Sequence, residues 1–306
     1  MSQTFIAYIK IALAMAIVGS SVVVGKLVIA SFPIYLASEL RFVISTLILL
    51  PLLLRQGQRF PRIRPKDLLL LFLQALTGVF LFNVFMLNGL KLTTAIEAGI
   101  ITSIIPAVVG LVAFLFLREK LSLNKGLGIF LAVLGVLFIN LVGGVAGSNS
   151  SMLGNLLIVG AVICETLFIT IGKSVTDRVT PLAISTMMSI FGLLLFLPMS
   201  IYEATRFDFS AVTAMDWVNI LYFGIFVTVI AFLFMYQGLS KVPASTAGVL
   251  TSMIPISSIF LSFIILGEEV TWVHLLGVLF ILIAIVLIAR SSAESQSEVV
   301  DRTASG

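Results

Sequence analysis

The sequence predicts an all-α integral membrane protein with about ten transmembrane helices, arranged as two inverted five-helix repeats. Three observations support this fold class. Hydrophobic residues make up 60% of the 306 residues and charged residues only 10%, whereas soluble domains have about 45–50% and about 25%. The apolar residues fall into long segments, and the second half of the chain repeats a pattern of the first half 149 positions later. The bilayer is therefore the predicted solvent of this chain.

The apolar segments are long enough to cross a bilayer, because a transmembrane helix needs about 20 apolar residues. The first segment is longer than the apolar core of a cleaved signal peptide, so we expect it to remain as the first helix. The polar, Ser-rich tail of residues 291–306 is predicted to be disordered. The predicted segments are 6–29, 34–54, 68–87, 95–117, 126–142, 153–173, 181–201, 217–236, 244–266 and 273–289.

The distribution of basic residues predicts the orientation, because loops rich in Lys and Arg stay in the cytoplasm. Most basic residues fall on the side of the membrane that holds both termini, and the other side has only Lys26, Lys91 and Arg206. We therefore expect a multi-pass protein of the cytoplasmic (inner) membrane with both termini in the cytoplasm. The net charge of +4 reflects this topology and predicts no nucleic-acid partner. The predicted partners are the lipid bilayer and a small-molecule substrate, and the oligomeric state stays open.

Enzymatic chemistry is not predicted. The single cysteine, Cys164, excludes an intramolecular disulfide and a Cys–His metal cluster. The sequence has no clustered acid, base and nucleophile, and no Gly-rich nucleotide-binding motif. We expect no cofactor, with a proton or another ion as the candidate coupling species.

An internal repeat relates the two halves. At an offset of 149 positions, residues 86–119 align with residues 235–268. Five spans per half is an odd number, so the second half must enter the membrane from the opposite side. Inverted repeats are typical of secondary transporters, whose substrate site lies near the midplane between the repeats. The identical pairs include Gly89 and Gly238, Ala95 and Ala244, Gly99 and Gly248, Thr102 and Thr251, Ser103 and Ser252, Pro106 and Pro255, and Glu119 and Glu268.

These blocks carry a family resemblance. They read "NGLKLTTAIEAGIITSIIPAVVGLVAFLFLREKLSLNKGLGIFLAVLGVLFI" and "QGLSKVPASTAGVLTSMIPISSIFLSFIILGEEVTWVHLLGVLFILIAIVLI", and they resemble the tandem EamA domains of the drug/metabolite transporter superfamily. Gly19 with Lys26, and Arg41 with Phe42, are similar to the first-repeat pattern of that family. The resemblance implies repeats at residues 1–143 and 152–290, a central cavity, alternating access, and substrates such as amino acids or other small metabolites. It leaves the substrate and the direction of transport open.

Glu165 is the first candidate for the mechanism. It lies about twelve residues into its segment, near the membrane midplane. A charged group at that depth is costly unless it is paired or wetted. Glu165 could therefore couple transport to protons or bind an amino group of the substrate, or it could make a structural contact with a neighbouring helix. Cys164, Glu165 and Thr166 depart from the small or aromatic residues that the resemblance implies there.

Four further charged residues are candidates near the outer ends of their segments. Arg41 and Glu39 are two positions apart on a helix, so we do not expect them to pair with each other. Arg41 is a substrate candidate, with a structural ion pair to Glu97 as the alternative. Lys26 could bind substrate or extend its ammonium to the interface. Glu97, in the first turn of its segment, could bind substrate or stabilise the helix dipole.

The remaining candidates are polar groups and prolines. Pro106 and Pro255 lie mid-segment and predict kinks that could act as hinges or expose backbone carbonyls to the cavity, or simply serve packing. We interpret Glu119 and Glu268, at helix C-termini, as structural and held by amides of the next helix or by nearby cations. Other side chains could line the cavity or bond to their own backbone, namely Asn83, Asn88, Thr102, Ser103, Thr251 and Ser252. His274 is predicted to be interfacial.

A secondary transporter is therefore the leading functional hypothesis. A channel would usually need oligomeric pore symmetry. A membrane enzyme or receptor would need a catalytic cluster or a soluble sensory domain, and the longest loop, at residues 55–66, is short and basic.

Overall fold

A computed structural model describes residues 3–55, 63–109, 151–242 and 253–269 almost without gaps, together with isolated positions in 112–134 and 247–287. Apart from one 3-10 turn at Phe209–Ala211, every regular element described is an α-helix or a π-helical stretch within one. In chain order the helices are α1 (Gln3–Ser31), α2 (Ile34–Arg55), α3 (Pro65–Leu92), α4 (Ala95–Val109), α5 (Met152–Thr176), α6 (Pro181–Ala204), α7 (Ala214–Leu239) and α8 (Met253–Leu261, continued by Ser262–Leu266).

Six of these helices, α1–α3 and α5–α7, are long and apolar enough to cross a membrane. They confirm a multi-pass, all-helical fold within the described residues. The described parts of α4 and α8 are shorter apolar helical stretches within the fourth and ninth predicted segments. The predicted segments 126–142 and 273–289 fall mostly outside the described residues, so the number of about ten spans stays a prediction.

Helix starts follow local sequence signals, and they make two helices longer than their apolar segments. Helix α3 begins at Pro65, whose fixed backbone suits the first turn. Helix α7 begins after Thr213, which forms a capping box with Asp216. The predicted segments 68–87 and 217–236 were too short because the first turn of each helix contains polar residues, which an apolar segment leaves out.

The two halves of the structure correspond at the same offset of 149 positions. Helix α3 begins at Pro65 and α7 at Ala214, which are 149 positions apart. Each of α3 and α7 also contains a π-helical stretch, and both stretches occupy corresponding positions, Leu76–Leu81 and Phe223–Ile230. Since π-helical turns depend on local packing, their recurrence confirms two structural repeats.

The helix that carries Pro106 is interrupted just before the proline. The amides of Ser103 and Ile104 bond to carbonyls three residues back, and α-helical geometry resumes at Ile105. In the second repeat, the Ile254 amide likewise bonds to Thr251, three residues back, and Pro255 lies in the helix that follows. Hydrogen bonds to carbonyls three residues back therefore precede both prolines, and the kinks themselves stay a prediction.

Close packing across the repeats depends on Gly19 of α1. A Cβ atom at this position would overlap Ser257 Oγ and the Ile254 carbonyl oxygen of α8. The Ser257 hydroxyl also donates a hydrogen bond to the Ala16 carbonyl, at 3.0 Å. Helices α1 and α8 therefore touch backbone to backbone near the middle of α1.

We expect Gly19→Ala to destabilise the protein, because the backbone carbonyl of Ile254 cannot move without separating α1 from α8. Overpacking of this kind costs about 1–3 kcal/mol, which thermal unfolding in detergent would detect as a lower midpoint. Gly25→Ala is the matched control on the same helix, since its nearest neighbour is a flexible side-chain atom, Leu87 Cδ2, at 3.2 Å. Equal midpoints for the two variants would contradict the predicted contact.

Candidate functional site

A small cavity lies between helices of both repeats. It holds about 40 Å³ of space that a water molecule can reach, and one water occupies about 30 Å³ in the liquid. A metabolite would therefore fit only after the helices move apart. The lining residues come from α1, α2 and α3 of the first repeat and α5 and α7 of the second: Met15, Val18, Ser21, Arg41, Gly78, Phe82, Asn83, Met86, Leu87, Glu165, Phe168, Phe223, Val227, Ala231, Phe232 and Met235.

Arg41 is the cation of this cavity, and it is only 5% exposed. Its guanidinium carbon lies 4.6 Å from the ring centroid of Phe42 and 5.3 Å from that of Phe223. Nη1 donates to Asn83 Oδ1 at 3.0 Å, and the Asn83 amide nitrogen in turn donates to the Val79 carbonyl. Among the described residues, Nε has no acceptor. The rings and the amide therefore fix the guanidinium while part of its donor edge stays unused.

Glu165 is the anion of the same cavity, and it is 6% exposed. It lies on α5 of the second repeat. Within the described part of the chain it forms no hydrogen bond and no ion pair, including none to Arg41. On the same helix, the Phe168 carbonyl accepts from Gln74, whose amide also donates to the Tyr236 hydroxyl. The cavity thus contains an arginine and a carboxyl group that do not form an ion pair with each other.

A larger vestibule of about 570 Å³ opens at the end of the bundle where α1 begins, which we call the terminal end. Lys10, Arg178 and Lys241 line it, together with Asp177 and Gln237. Lys10 donates to Gln237 at 2.7 Å. Lys10 and the cavity residue Met15 are five residues apart on α1, a rise of about 7.5 Å. The vestibule therefore ends about one and a half helical turns from the cavity.

At the other end of the bundle, which we call the distal end, an ion pair joins the two repeats. Lys26 Nζ of α1 lies 2.8 Å from Glu268 Oε1 and donates to the Thr93 carbonyl at 3.2 Å. The Glu268 carboxylate also accepts from the first amides of α4, those of Ala95 at 3.0 Å and Ile96 at 2.8 Å. An anion at a helix N-terminus is stabilised by the helix dipole. We call this group, Lys26 with Glu268 and the two α4 amides, the distal latch.

Local backbone geometry brings Glu268 to this place. Gly267 has a φ of 64°, which is the left-handed conformation that glycine adopts after a helix end. Helix α8 ends there and the next residue turns toward α4. As predicted, backbone amides and a cation hold the Glu268 carboxylate in place. Those amides open α4 of the opposite repeat, and Lys26 forms an ion pair instead of extending to the interface.

A second polar cluster lies at the distal end, around Glu97. Its carboxylate accepts from Thr93 Oγ1 at 2.9 Å and from Asn155 Nδ2 at 3.0 Å. Thr94 caps α4 by accepting from the Glu97 amide. Arg41 and Glu97 form no ion pair within the described residues, so the alternative of an Arg41–Glu97 pair was wrong. Glu97 lies at the distal end of the bundle and outside the cavity lining.

The other candidates divide between the cavity and the helix interiors. Asn83 lines the cavity, whereas Glu39 is buried outside its lining and has one carboxylate oxygen, Oε2, without a partner among the described residues. Asn88, Thr102 and Ser103 bond to carbonyls of their own helices. Glu119, Ser252 and His274 lie outside the described residues, as does the side chain of Pro255.

Sequence reasoning missed several residues of the site. Gln74, Asn155 and Tyr236 are polar side chains inside apolar segments, and that signal could have identified them. Phe223 gave no signal, because nothing distinguishes it from the many other phenylalanines in the chain. Asp67 and Asp216 are 149 positions apart and open the third helix of each repeat, so the repeat itself could have identified both. Asp67 pairs with Arg178 at 3.2 Å and Asp216 accepts from Ser31 at 2.6 Å.

Comparison with known proteins identifies the family. The profile of the EamA-like transporter family matches two stretches of the chain, residues 5–141 and 152–290. The chain belongs to the EamA-like transporter family. An uncharacterized transporter of Bacillus subtilis (strain 168), YetK, is 46% identical over 274 residues, which cover 89% of this chain and 83% of the relative. An uncharacterized transporter of Archaeoglobus fulgidus is 30% identical over 261 residues, covering 84% and 89% of the two chains.

A crystal structure of another protein shares the fold. It has a TM-score of 0.67 and 17% sequence identity, and the match covers 90% of this chain and 94% of the other. The family profile and the two relatives confirm the predicted resemblance to the EamA transporters of the drug/metabolite transporter superfamily. As an EamA-like transporter, the chain is a membrane protein whose expected cargo is a small molecule. The cavity between its repeats is the candidate site for that cargo.

Proposed function

We propose that this protein is a secondary transporter that moves a small metabolite, such as an amino acid, an amine or a related compound, by alternating access. The observation that carries the proposal is the cavity itself, which is built from both repeats and contains Arg41 and Glu165 without an ion pair between them. Uncompensated charges inside a membrane protein are costly and usually mark a substrate or ion pathway. A substrate with complementary groups would offset that cost.

The unequal ends of the bundle support alternating access. The terminal end opens into a vestibule of about 570 Å³, while the distal latch and the Glu97 cluster close the other end. A transporter built from inverted repeats exposes its central site to one side at a time. With about ten spans in two inverted repeats and cytoplasmic termini in the inner membrane, the vestibule would face the cytoplasm. The structure would then correspond to an inward-facing state with a contracted site.

Glu165 is the proposed coupling group. A buried carboxylate without a protein partner can be stabilised by taking up a proton, by a cationic substrate, or by each in turn. Exchange between those two ligands would link substrate movement to a proton gradient. No cofactor is needed for this cycle.

Transport by purified protein in liposomes tests the proposal. We expect accumulation of at least one amino acid or amine when a pH gradient is imposed, and exchange when unlabelled compound is present on the opposite side. Counterflow of this kind distinguishes a carrier from a channel. In a channel the substrate diffuses down its gradient, and unlabelled compound on the opposite side does not drive uptake of labelled compound. Absence of uptake across a panel of amino acids, amines and cationic drugs would contradict the proposed function.

A further inference from the structure

We propose that the transported molecule carries a carboxylate and that Arg41 binds it. This inference rests on the proposed function and narrows its substrate class, because a simple amine lacks the group that Arg41 would bind.

The first argument is the fixed orientation of the guanidinium. The ring centroids of Phe42 and Phe223 lie 4.6 Å and 5.3 Å from its central carbon. Nη1 donates a hydrogen bond to Asn83 Oδ1 at 3.0 Å. Arginine has five N–H donors in a planar fork that matches the two oxygens of a carboxylate. A fork that is held in place before the ligand arrives loses little side-chain freedom on binding.

The second argument is the donor that the protein leaves unused. Nε of Arg41 is buried and has no acceptor among the described residues. A buried donor without an acceptor is unfavourable and is seldom found in native structures without a reason. Because Arg41 also lines the cavity, a ligand in that cavity could supply the missing acceptor.

The third argument is that nearby carboxylates of the protein do not neutralise Arg41. Neither Glu39, two positions away, nor Glu165, in the same cavity, forms an ion pair with it in the described part of the chain. The Glu97 carboxylate contacts Thr93 and Asn155 at the distal end. Among the described residues no carboxylate is paired with Arg41, so a ligand in the cavity could supply its counter-anion.

The rest of the cavity selects the kind of anion. Its walls are mostly apolar, with Met15, Val18, Phe82, Leu87 and Phe232 among them. Glu165 would repel a dianion such as a phosphate monoester but would attract an ammonium group. A monocarboxylate with an apolar side chain therefore fits best, and one that also carries an amino group would use both charges.

Two matched series of small molecules test this assignment. One consists of leucine, 4-methylpentanoate and 3-methylbutylamine, and the other of phenylalanine, 3-phenylpropanoate and 2-phenylethylamine. Each series keeps the apolar side chain and removes the amino group or the carboxylate. Binding is measured by calorimetry on the purified full-length protein, and transport by competition in liposome counterflow.

The wild-type protein should bind the carboxylate-bearing members of at least one series more tightly than the amine, by about tenfold or more. Arg41→Gln should weaken the binding of those members to the level of the amine and leave the affinity for the amine unchanged. Arg41→Lys keeps the charge but not the planar fork of donors. Its affinity for the carboxylate-bearing members should therefore lie between that of the wild-type protein and that of Arg41→Gln. Arg206→Gln is the matched control, because Arg206 stacks on Tyr202, 4.2 Å from its ring centroid, outside the cavity.

Equal affinity for amines and their carboxylated partners, or no binding of any carboxylate, would overturn the assignment. An equal loss for amines and amino acids in a folded Arg41→Lys variant would also overturn it, since that pattern indicates a structural role. Transport of the amines alone would leave the proposed function intact and remove Arg41 from recognition. Binding of carboxylates without any counterflow would support the Arg41 assignment and contradict the proposed function.

Discussion

Replacing Glu165 with glutamine is expected to abolish gradient-driven transport while the protein still folds. Glutamine keeps the size of the side chain but can neither take up a proton at physiological pH nor attract an ammonium group as a carboxylate does. Since Glu165 forms no ion pair with a described residue, the substitution should break no ion pair in that part of the chain. We expect uptake driven by a pH gradient to fall by more than about tenfold, measured in liposomes against protein-free controls.

Glu39→Gln is the matched control for this experiment. Glu39 is 7% exposed, close to the 6% of Glu165, but it does not line the cavity. Neutralising it removes a buried charge and should leave transport unchanged and stability unchanged or higher. Undiminished coupling in Glu165→Gln, or an equal loss in both variants, would contradict the role of Glu165.

Removing the distal latch should shift the protein toward an outward-facing state. Lys26→Met leaves the Glu268 carboxylate without its cation, and Glu268→Gln removes the anion from the first amides of α4. Hydrogen bonds to charged groups contribute about 1.5–3 kcal/mol, so the closed distal end should become less favoured by about tenfold. The readout is a single cysteine at Ser21, which lines the cavity, in a Cys164→Ser background.

A membrane-impermeant thiol reagent added from the distal side should modify Ser21→Cys about tenfold faster when Lys26→Met is also present. Lys91→Met serves as the control, because Lys91 is an exposed cation close to Thr93 in sequence and outside the latch. Equal modification rates in the presence and absence of Lys26→Met would show that the ion pair does not hold the distal end closed.

The fold was largely predictable because it depends on segment length and on a repeated pattern. Apolar runs of about 20 residues identify membrane helices without knowledge of their neighbours. The identical residues at an offset of 149 positions, such as Pro106 and Pro255, predicted equivalent helices, and the equivalent starts of α3 and α7 bear this out. Glu165 was predicted in the middle of an apolar segment and Arg41 nearer the outer end of one, and both side chains are buried in the structure.

The contacts of the site could not be predicted, because they join helices that are far apart in sequence. Lys26 and Glu268 are 242 positions apart, and neither residue indicates the other. The π-helical stretches in α3 and α7 depend on side-chain packing against neighbouring helices, and the sequence pattern of one helix carries no information about those neighbours. The Phe223 ring beside Arg41 likewise depends on how α7 packs against α2.

Alternating exposure of the central cavity is the main claim, and cysteine accessibility from both sides of the membrane tests it most directly. The measurement uses Ser21→Cys in the Cys164→Ser background, in right-side-out and inside-out vesicles, with and without Lys26→Met. We predict that the latch variant raises the modification rate from the distal side and lowers it from the terminal side. A rise from both sides, or access from one side alone in every variant, would contradict alternating access.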